Sequence, residues 1–390
     1  MQSNGQHAGA PARTDGPSAH HLPSAEGARL LWLDLLRFLA AFAVVVVHAR
    51  GHSFVEFGSL PAEQKTKLVF ALYAITRIGS EAVTVFFVLS GFLVGGKALE
   101  RIIRGQFRVG DYAVDRISRI YVPLLPALLL SALVAMYRGD AFTIGGLVGN
   151  LLGFQGLTTE PFALNGPLWS LSYEIWFYVL AGAVGVAAAY RGLHLRAAAC
   201  IVGVAAIFTI LEASFLFCWV IGALAWVRRP ERISIGMVLL SLALIMYGVV
   251  GVEIGMVSES VKNLAIARFV PSVHVAHILL ATGTALFIQQ VILWQPRQAW
   301  LATLERWGTP LGAFSYTMYL VHFPLLRLLI GLGVLPNSER SPSLSASSIA
   351  AFGLLVAGAV AGSVALYFLF ERHTPKVRRW MRARWGTSRR

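Results

Sequence analysis

Charge is what this chain has least of. Asp, Glu, Lys and Arg make up 13% of its 390 residues, about half their share in an ordinary soluble domain. Hydrophobic residues reach 56%, and so few charges cannot solubilise a surface around that much apolar material. Cysteine is nearly missing. Cys200 and Cys218 both lie in apolar stretches, which excludes a disulfide framework and a Cys-rich zinc site. Also missing are a Walker A sequence, HExxH, a GxSxG elbow and a GxGxxG fingerprint. No metal site and no bound cofactor are expected. No stretch has the short apolar core of a cleavable signal peptide, so the first apolar helix is expected to stay in the mature protein. Acidic residues number 19 against 33 Lys and Arg, a net charge of +14. In a soluble protein that excess would point to nucleic acid; here membrane topology accounts for most of it, and no nucleic-acid partner is expected.

What is present in abundance is apolar runs of about twenty residues, the length a helix needs to cross a bilayer. Ten spans are predicted, near 30–49, 79–97, 120–138, 168–190, 197–212, 213–228, 233–252, 272–294, 309–334 and 348–370. The fold class is an all-α polytopic membrane protein. Residues 66–78 and 141–156 are apolar but brief and read as interfacial or re-entrant pieces. The organisation is a disordered cytoplasmic tail over 1–28, a membrane domain over 29–371 and a basic cytoplasmic tail over 372–390. With the N-terminus inside, inner segments hold 23 basic residues and outer segments 7, among them Lys262 and Arg268. That split obeys the positive-inside rule and puts both termini in the cytoplasm.

Ionisable groups inside spans cost about 2.5–3.5 kcal/mol each on insertion scales and are functional candidates by default. Span one carries Asp34, Arg37 and His48. Eleven residues separate Arg37 from His48, which leaves roughly 20° after three helical turns and roughly 16 Å along the axis. Asp34 joins the same stripe. Such a stripe must line a polar interior, and its ends are too far apart to be a nucleophile–base dyad. The plainer reading has Asp34 neutralising Arg37 and His48 sitting at the interface. In span four, Ser170, Glu174 and Tyr178 share a face, with Ser172 elsewhere. Glu174 needs a partner, either in a salt bridge to Arg37 or Arg77 or in catalysis. Span nine aligns Ser315, Tyr319 and His322, and Pro324 is expected to kink the helix or end its regular hydrogen bonding just beyond. A lone buried histidine is usually a satisfied core residue, against which the Ser–Tyr–His stripe sets a site. The arginines of the longest inner loop, Arg116 and Arg119 among them, serve topology and anionic lipid, or bind phosphates. The glycines of SGFLVGG are read as close helix packing.

Taken together, these segments resemble the bacterial integral-membrane acyltransferase-3 family. Arg37 and His48 match its Arg-x10-His signature, and Phe86 to Gly96, with Ser90, looks like its FFxxSGF segment. Arg116, Arg119, Tyr121 and Pro123 resemble its RxxR-then-Pro stretch, with Val122 intervening. Trp169 to Glu174 followed by Phe177 and Tyr178 is similar to WSLSxExxFY, and Ser315 to Pro324 matches SYxxYLxHxP. The resemblance implies transfer of an acyl group, acetyl first, from cytoplasmic acyl-CoA to a hydroxyl of a saccharide or glycoconjugate, as in O-acetylation of an exopolysaccharide. His48 is then the expected general base, Arg37 the donor-positioning group, and Glu174 is expected to orient His48 or balance Arg37. Asp34, Ser90, Arg116, Arg119, Trp169, Ser172, Tyr178, Ser315, Tyr319 and His322 are expected to contact substrates. Acyl-CoA is a co-substrate, and membrane lipid and glycan-assembly proteins are further partners. Two rivals remain: a transporter or flippase for a lipid-linked saccharide, recognisable by paired broken helices near the midplane, and a non-catalytic anchor of a glycan-assembly complex.

Overall fold

The structure is a computed structural model describing residues 25–256, 269–294, 299–335 and 340–385. Lys262, Arg268 and the N-terminal tail up to residue 24 lie outside the described residues. Helix α1 (Ala25–Ser53) is followed by the short α2 (Lys67–Ile75). Helix α3 (Gly79–Ser90) continues through a π-helical turn, Gly91–Gly95, into α4 (Gly96–Ile103). Next come α5 (Val109–Arg138), α6 (Ile144–Leu151), α7 (Trp169–Ala189), α8 (His194–Ile207) and α9 (Ala213–Val227). The chain ends with α10 (Ile235–Gly255), α11 (Val273–Val291), α12 (Ala299–Gly331), α13 (Ala346–Leu369) and α14 (Thr374–Trp385).

Eight spans among the described residues are long and apolar enough to cross a bilayer. Exposed leucines at Leu125, Leu129 and Leu133 of α5 form the kind of i, i+4 stripe that only lipid would cover. Helices α8 and α9, of 14 and 15 residues, are shorter than a bilayer core of about 30 Å requires. Their ends show their course. The turn between them reaches the outer end of the bundle, where the Glu212 backbone N–H donates to the Tyr173 hydroxyl at 2.9 Å. At the other end, Gln289 near the inner end of α11 donates to the Ala225 and Arg228 carbonyls at 2.8 and 3.1 Å. The pair therefore runs along the bundle and back beside the eight longer spans, where ten crossings were expected.

The apolar pieces at 66–78 and 141–156 contain α2 and α6, of nine and eight residues, roughly 12–14 Å long and too short to cross. A larger difference lies in the predicted inner loop, 97–119. It is mostly helix, since α4 runs to Ile103 and α5 starts at Val109. Hydropathy detects only the lipid-covered part of a helix, whereas the backbone ladder continues until a capping geometry stops it. Gly105, at φ +64°, supplies the turn between the two. The predicted C-terminal tail is also helical through Trp385. Buried Thr374 and Met381 on one face of α14 pack beneath α5, and Arg378 and Arg382 pair with Asp115 of α5 at 3.3 and 2.8 Å.

Two close approaches organise the bundle. Beside α9, a Cβ on Gly91 would fall 2.0 Å from the Trp219 carbonyl oxygen, and one on Gly222 would fall 2.2 Å from that of Val88. The glycines of SGFLVGG are packing residues, as expected. The second approach was not foreseen: α12 carries Gly308 and Gly312, whose added Cβ atoms would meet Leu31 at 2.7 Å and Asp34 at 2.3 Å. Parallel α1 and α12 thus pack closely, the glycine backbone of one directly under the Leu31 and Asp34 side chains of the other. Nor does Pro324 end α12, which continues to Gly331. Proline leaves the carbonyl four residues earlier without its helical donor, and Asn165 Nδ2 donates to that carbonyl, Leu320, at 3.0 Å.

Gly222→Ala is expected to destabilise the bundle by about 1–3 kcal/mol or more through overpacking. Gly203→Ala, on an exposed helical face with nothing within 4 Å, should lose nothing. Thermal unfolding of the two purified variants in detergent separates them.

Candidate active site

The α1–α12 contact decides what becomes of the polar stripe. With Gly312 against Asp34, the stripe faces inward. Asp34 accepts a hydrogen bond from Arg37 at 2.9 Å, and both line a cavity of about 570 Å³. The ion pair of the plainer reading is therefore real, and it is part of a cavity wall. Helices α3, α4, α5, α7, α12 and α14 supply the rest. Six cationic side chains line the cavity, Arg37, Lys97, Arg101, Arg116, Arg119 and Arg378, against the carboxylates of Asp34, Asp115 and Glu174. These cations come from the first half of α1, from α4, from the start of α5 and from α14. Hydroxyls mark the deep end, where Ser170 and Tyr319 meet at 2.6 Å and Tyr319 also donates to the Pro167 carbonyl at 3.2 Å.

The two arginines of RxxR, three residues apart on α5, have different surroundings. Arg119 donates to Glu371 at 2.6 Å and lies over the Tyr316 ring. Glu371 is 3% exposed and also accepts from the Thr317 N–H and hydroxyl at 3.0 and 2.6 Å. Arg119 is thereby fixed in place by the start of the C-terminal segment. Arg116 stacks over Tyr112 and Tyr178, and its Nε has no hydrogen-bond partner among the described residues. A buried, unpartnered guanidinium N–H is expensive, and Arg116 itself lines the cavity, where its remaining donors suit an anion. Glu174 accepts from the Tyr178 hydroxyl, which also meets Ser90 Oγ at 3.3 Å. Arg119, Arg116 and Arg37 all lie within electrostatic reach of Glu174, so it balances the cationic cluster. Arg77 has a different partner, Glu253, at 3.2 Å.

His48 lies beyond the deep end and does not line the cavity. Its partner is His322 of α12, with His322 Nε2 3.1 Å from His48 Nδ1. The chain of contacts assigns the tautomers. His322 Nδ1 faces two backbone carbonyls, Met318 at 3.1 Å and Tyr319 at 2.8 Å, so it carries the proton and Nε2 accepts. His48 Nδ1, which also faces the Val44 carbonyl at 3.0 Å, must then be the donor. The free lone pair of His48 is on Nε2, which has no protein partner among the described residues. The family resemblance implied Glu174 as a group that could orient His48; the structure gives that contact to His322.

Of the remaining predicted residues, Asp34, Ser90, Arg116, Arg119, Tyr178 and Tyr319 meet at the cavity with Arg37 and Glu174. Trp169, Ser172 and Ser315 do not. Trp169 packs edge-on against Tyr173, Ser172 donates to the Gly153 carbonyl at 2.7 Å, and Ser315 donates to the Gly312 carbonyl at 2.7 Å. All three belong to helix packing, because neighbouring positions on a helix point in different directions and a contiguous motif cannot face one cavity throughout. Glu371, Thr317 and Arg378 were missed. The first signal for them was a glutamate directly after an apolar span, with arginines following at helical spacing.

Comparison with known proteins gives a consistent answer. Over 159 residues the chain is 34% identical to Acyltransferase MdmB of Streptomyces mycarofaciens, which covers 39% of this chain and 38% of that protein. The aligned stretch is thus well under half the length of that relative. No solved structure matches the chain. A family model described as an acyltransferase domain matches residues 30–368, which takes in every crossing from α1 to α13, and the chain belongs to that acyltransferase family.

Proposed function

We propose that this protein is an O-acyltransferase of the cytoplasmic membrane, moving an acyl group, acetyl first, from cytoplasmic acyl-CoA to a hydroxyl of a saccharide or glycoconjugate. The observation that carries the reading is an inward-facing basic cavity whose uncharged deep end stops beside a histidine with a free Nε2. An elongated donor with phosphates at one end and a thioester at the other matches that gradient of charge. Arg37 and Arg116 hold the donor, and the pantetheine arm runs toward Ser170 and Tyr319. The acceptor approaches His48 from the outer side. His48 Nε2 takes the hydroxyl proton as the oxygen attacks the thioester carbonyl, the C–S bond breaks, and the CoA thiolate takes the proton back from the imidazolium. His322 stabilises the imidazolium by accepting from Nδ1–H, and the two carbonyls behind it keep its own ring in register. The curated relative is named only as an acyltransferase, so the saccharide acceptor rests on the family resemblance and on the outward position of His48.

His48→Ala is expected to lower transfer by about 10²–10⁴-fold while leaving CoA binding unchanged. Arg37→Ala should weaken CoA binding instead. Calorimetric CoA titration of both variants checks this division, and equal loss of affinity in the two would refute it. Mass spectrometry of surface glycans should show an acyl mass increment in cells with the wild-type protein and none with His48→Ala. For His322, the expected split is between isosteres: Gln keeps an acceptor for His48 Nδ1–H and retains part of kcat, whereas Leu loses it, with donor KM unchanged in both.

A further inference from the structure

The family match ends at residue 368, yet the cavity does not. Helix α14, wholly beyond that point, brings Arg378 to the cavity wall, on the same side as Arg116 and Arg101. We propose that α14 is a wall of the donor site and that Arg378 contacts a phosphate of the donor nucleotide. This rests on the reading of the cavity as an acyl-CoA site and adds to it a residue from outside the matched domain.

Three observations carry the inference. First, α14 is anchored in place. Glu371, at its entrance, is held by Arg119 and Thr317, and buried Thr374 and Met381 seat one face of the helix. Second, Arg378 and Arg382, one turn apart, share one carboxylate. Asp115 receives Arg382 Nη2 at 2.8 Å and Arg378 Nε at 3.3 Å. Arg382 also reaches Asp111 at 4.0 Å, so it clamps the helix through two carboxylates without Arg378. Arg378, with one further contact to Ser118 Oγ at 3.3 Å, keeps donors to offer. Third, the two differ in position: Arg378 lines the cavity and Arg382 does not. Arg379, the next residue, is exposed on another face and provides an internal control of equal charge. Planar guanidinium groups suit phosphate oxygens, and water is largely displaced where several converge.

The test is titration of the purified full-length protein, in detergent micelles free of phospholipid, with CoA and with pantetheine, which lacks the nucleotide phosphates. Arg378→Gln is expected to weaken CoA by about tenfold, the loss of one charge-assisted contact, and to leave pantetheine unchanged. Arg379→Gln should match the wild type. Asp115→Asn discriminates a structural role from a binding one. It breaks the same clamp but removes a negative charge near the phosphates, so CoA binding should hold or tighten. Wild-type CoA affinity in Arg378→Gln would overturn the proposal and leave the donor reading standing, provided Arg116→Gln still weakens CoA. A loss in Asp115→Asn equal to that in Arg378→Gln would make the contact structural and also overturn it. If the Arg378→Gln defect appears only in vesicles containing phosphatidylglycerol, the phosphate belongs to lipid and the proposal falls. A wild-type protein that does not bind CoA removes both readings.

Discussion

Where α1 passes α12, Gly308 and Gly312 lie directly against Leu31 and Asp34, with no room for a Cβ of their own. A bilayer offers no hydrophobic drive for helices to associate, so van der Waals fit between small residues has to do that work. Here the fit does more than hold two helices together. It turns Asp34 and Arg37 toward the bundle axis, and it brings His322 within hydrogen-bonding distance of His48 further along the same pair. Both polar assemblies depend on one seam.

The cytoplasmic half of the bundle is organised around excess positive charge. Six cationic side chains and three carboxylates line one cavity, and removing such groups from water is costly unless they are paired. The structure pairs some of them tightly. Arg119 is held by buried Glu371, and Arg37 by Asp34. Others remain underused, such as the Arg116 Nε. The committed cations build the wall, and the uncommitted ones are suited to an anion. The outer half also holds ion pairs, Arg327 with Asp140 and Arg77 with Glu253, and beside them hydrogen bonds between uncharged groups, as in the contact of Asn165 with the carbonyl that Pro324 leaves free. That contact keeps α12 straight enough to place Tyr319 and His322 on successive levels of one helix. Within the cavity itself, the charged groups at one end and the Ser170 and Tyr319 hydroxyls at the other would guide an elongated donor in one direction.

The all-helical membrane fold, the order of the long spans and the two short pieces at 66–78 and 141–156 were legible in the sequence because bilayer thickness imposes a length that any crossing must meet. The intramembrane stripe Asp34, Arg37, His48 and the face shared by Ser170, Glu174 and Tyr178 were legible for a similar reason, since helical periodicity alone decides which residues lie together on one helix. The motifs were less informative about role. Within the Trp169–Glu174 segment, Ser170 and Glu174 reach the cavity, whereas Trp169 and Ser172 are absorbed by packing.

The tertiary structure alone decided the partnerships between helices. His322 and His48 lie 274 residues apart, Arg119 and Glu371 lie 252 apart, and no periodicity relates positions on different helices. The C-terminal helix shows the same limit. By composition it is a basic stretch after the last span, and its docking rests on Asp111 and Asp115 of α5, which are remote in sequence and adjacent in space. Sequence by itself determined which residues could not face lipid. Which of them face one another depends on how closely the backbones approach, and that was settled at a few glycines.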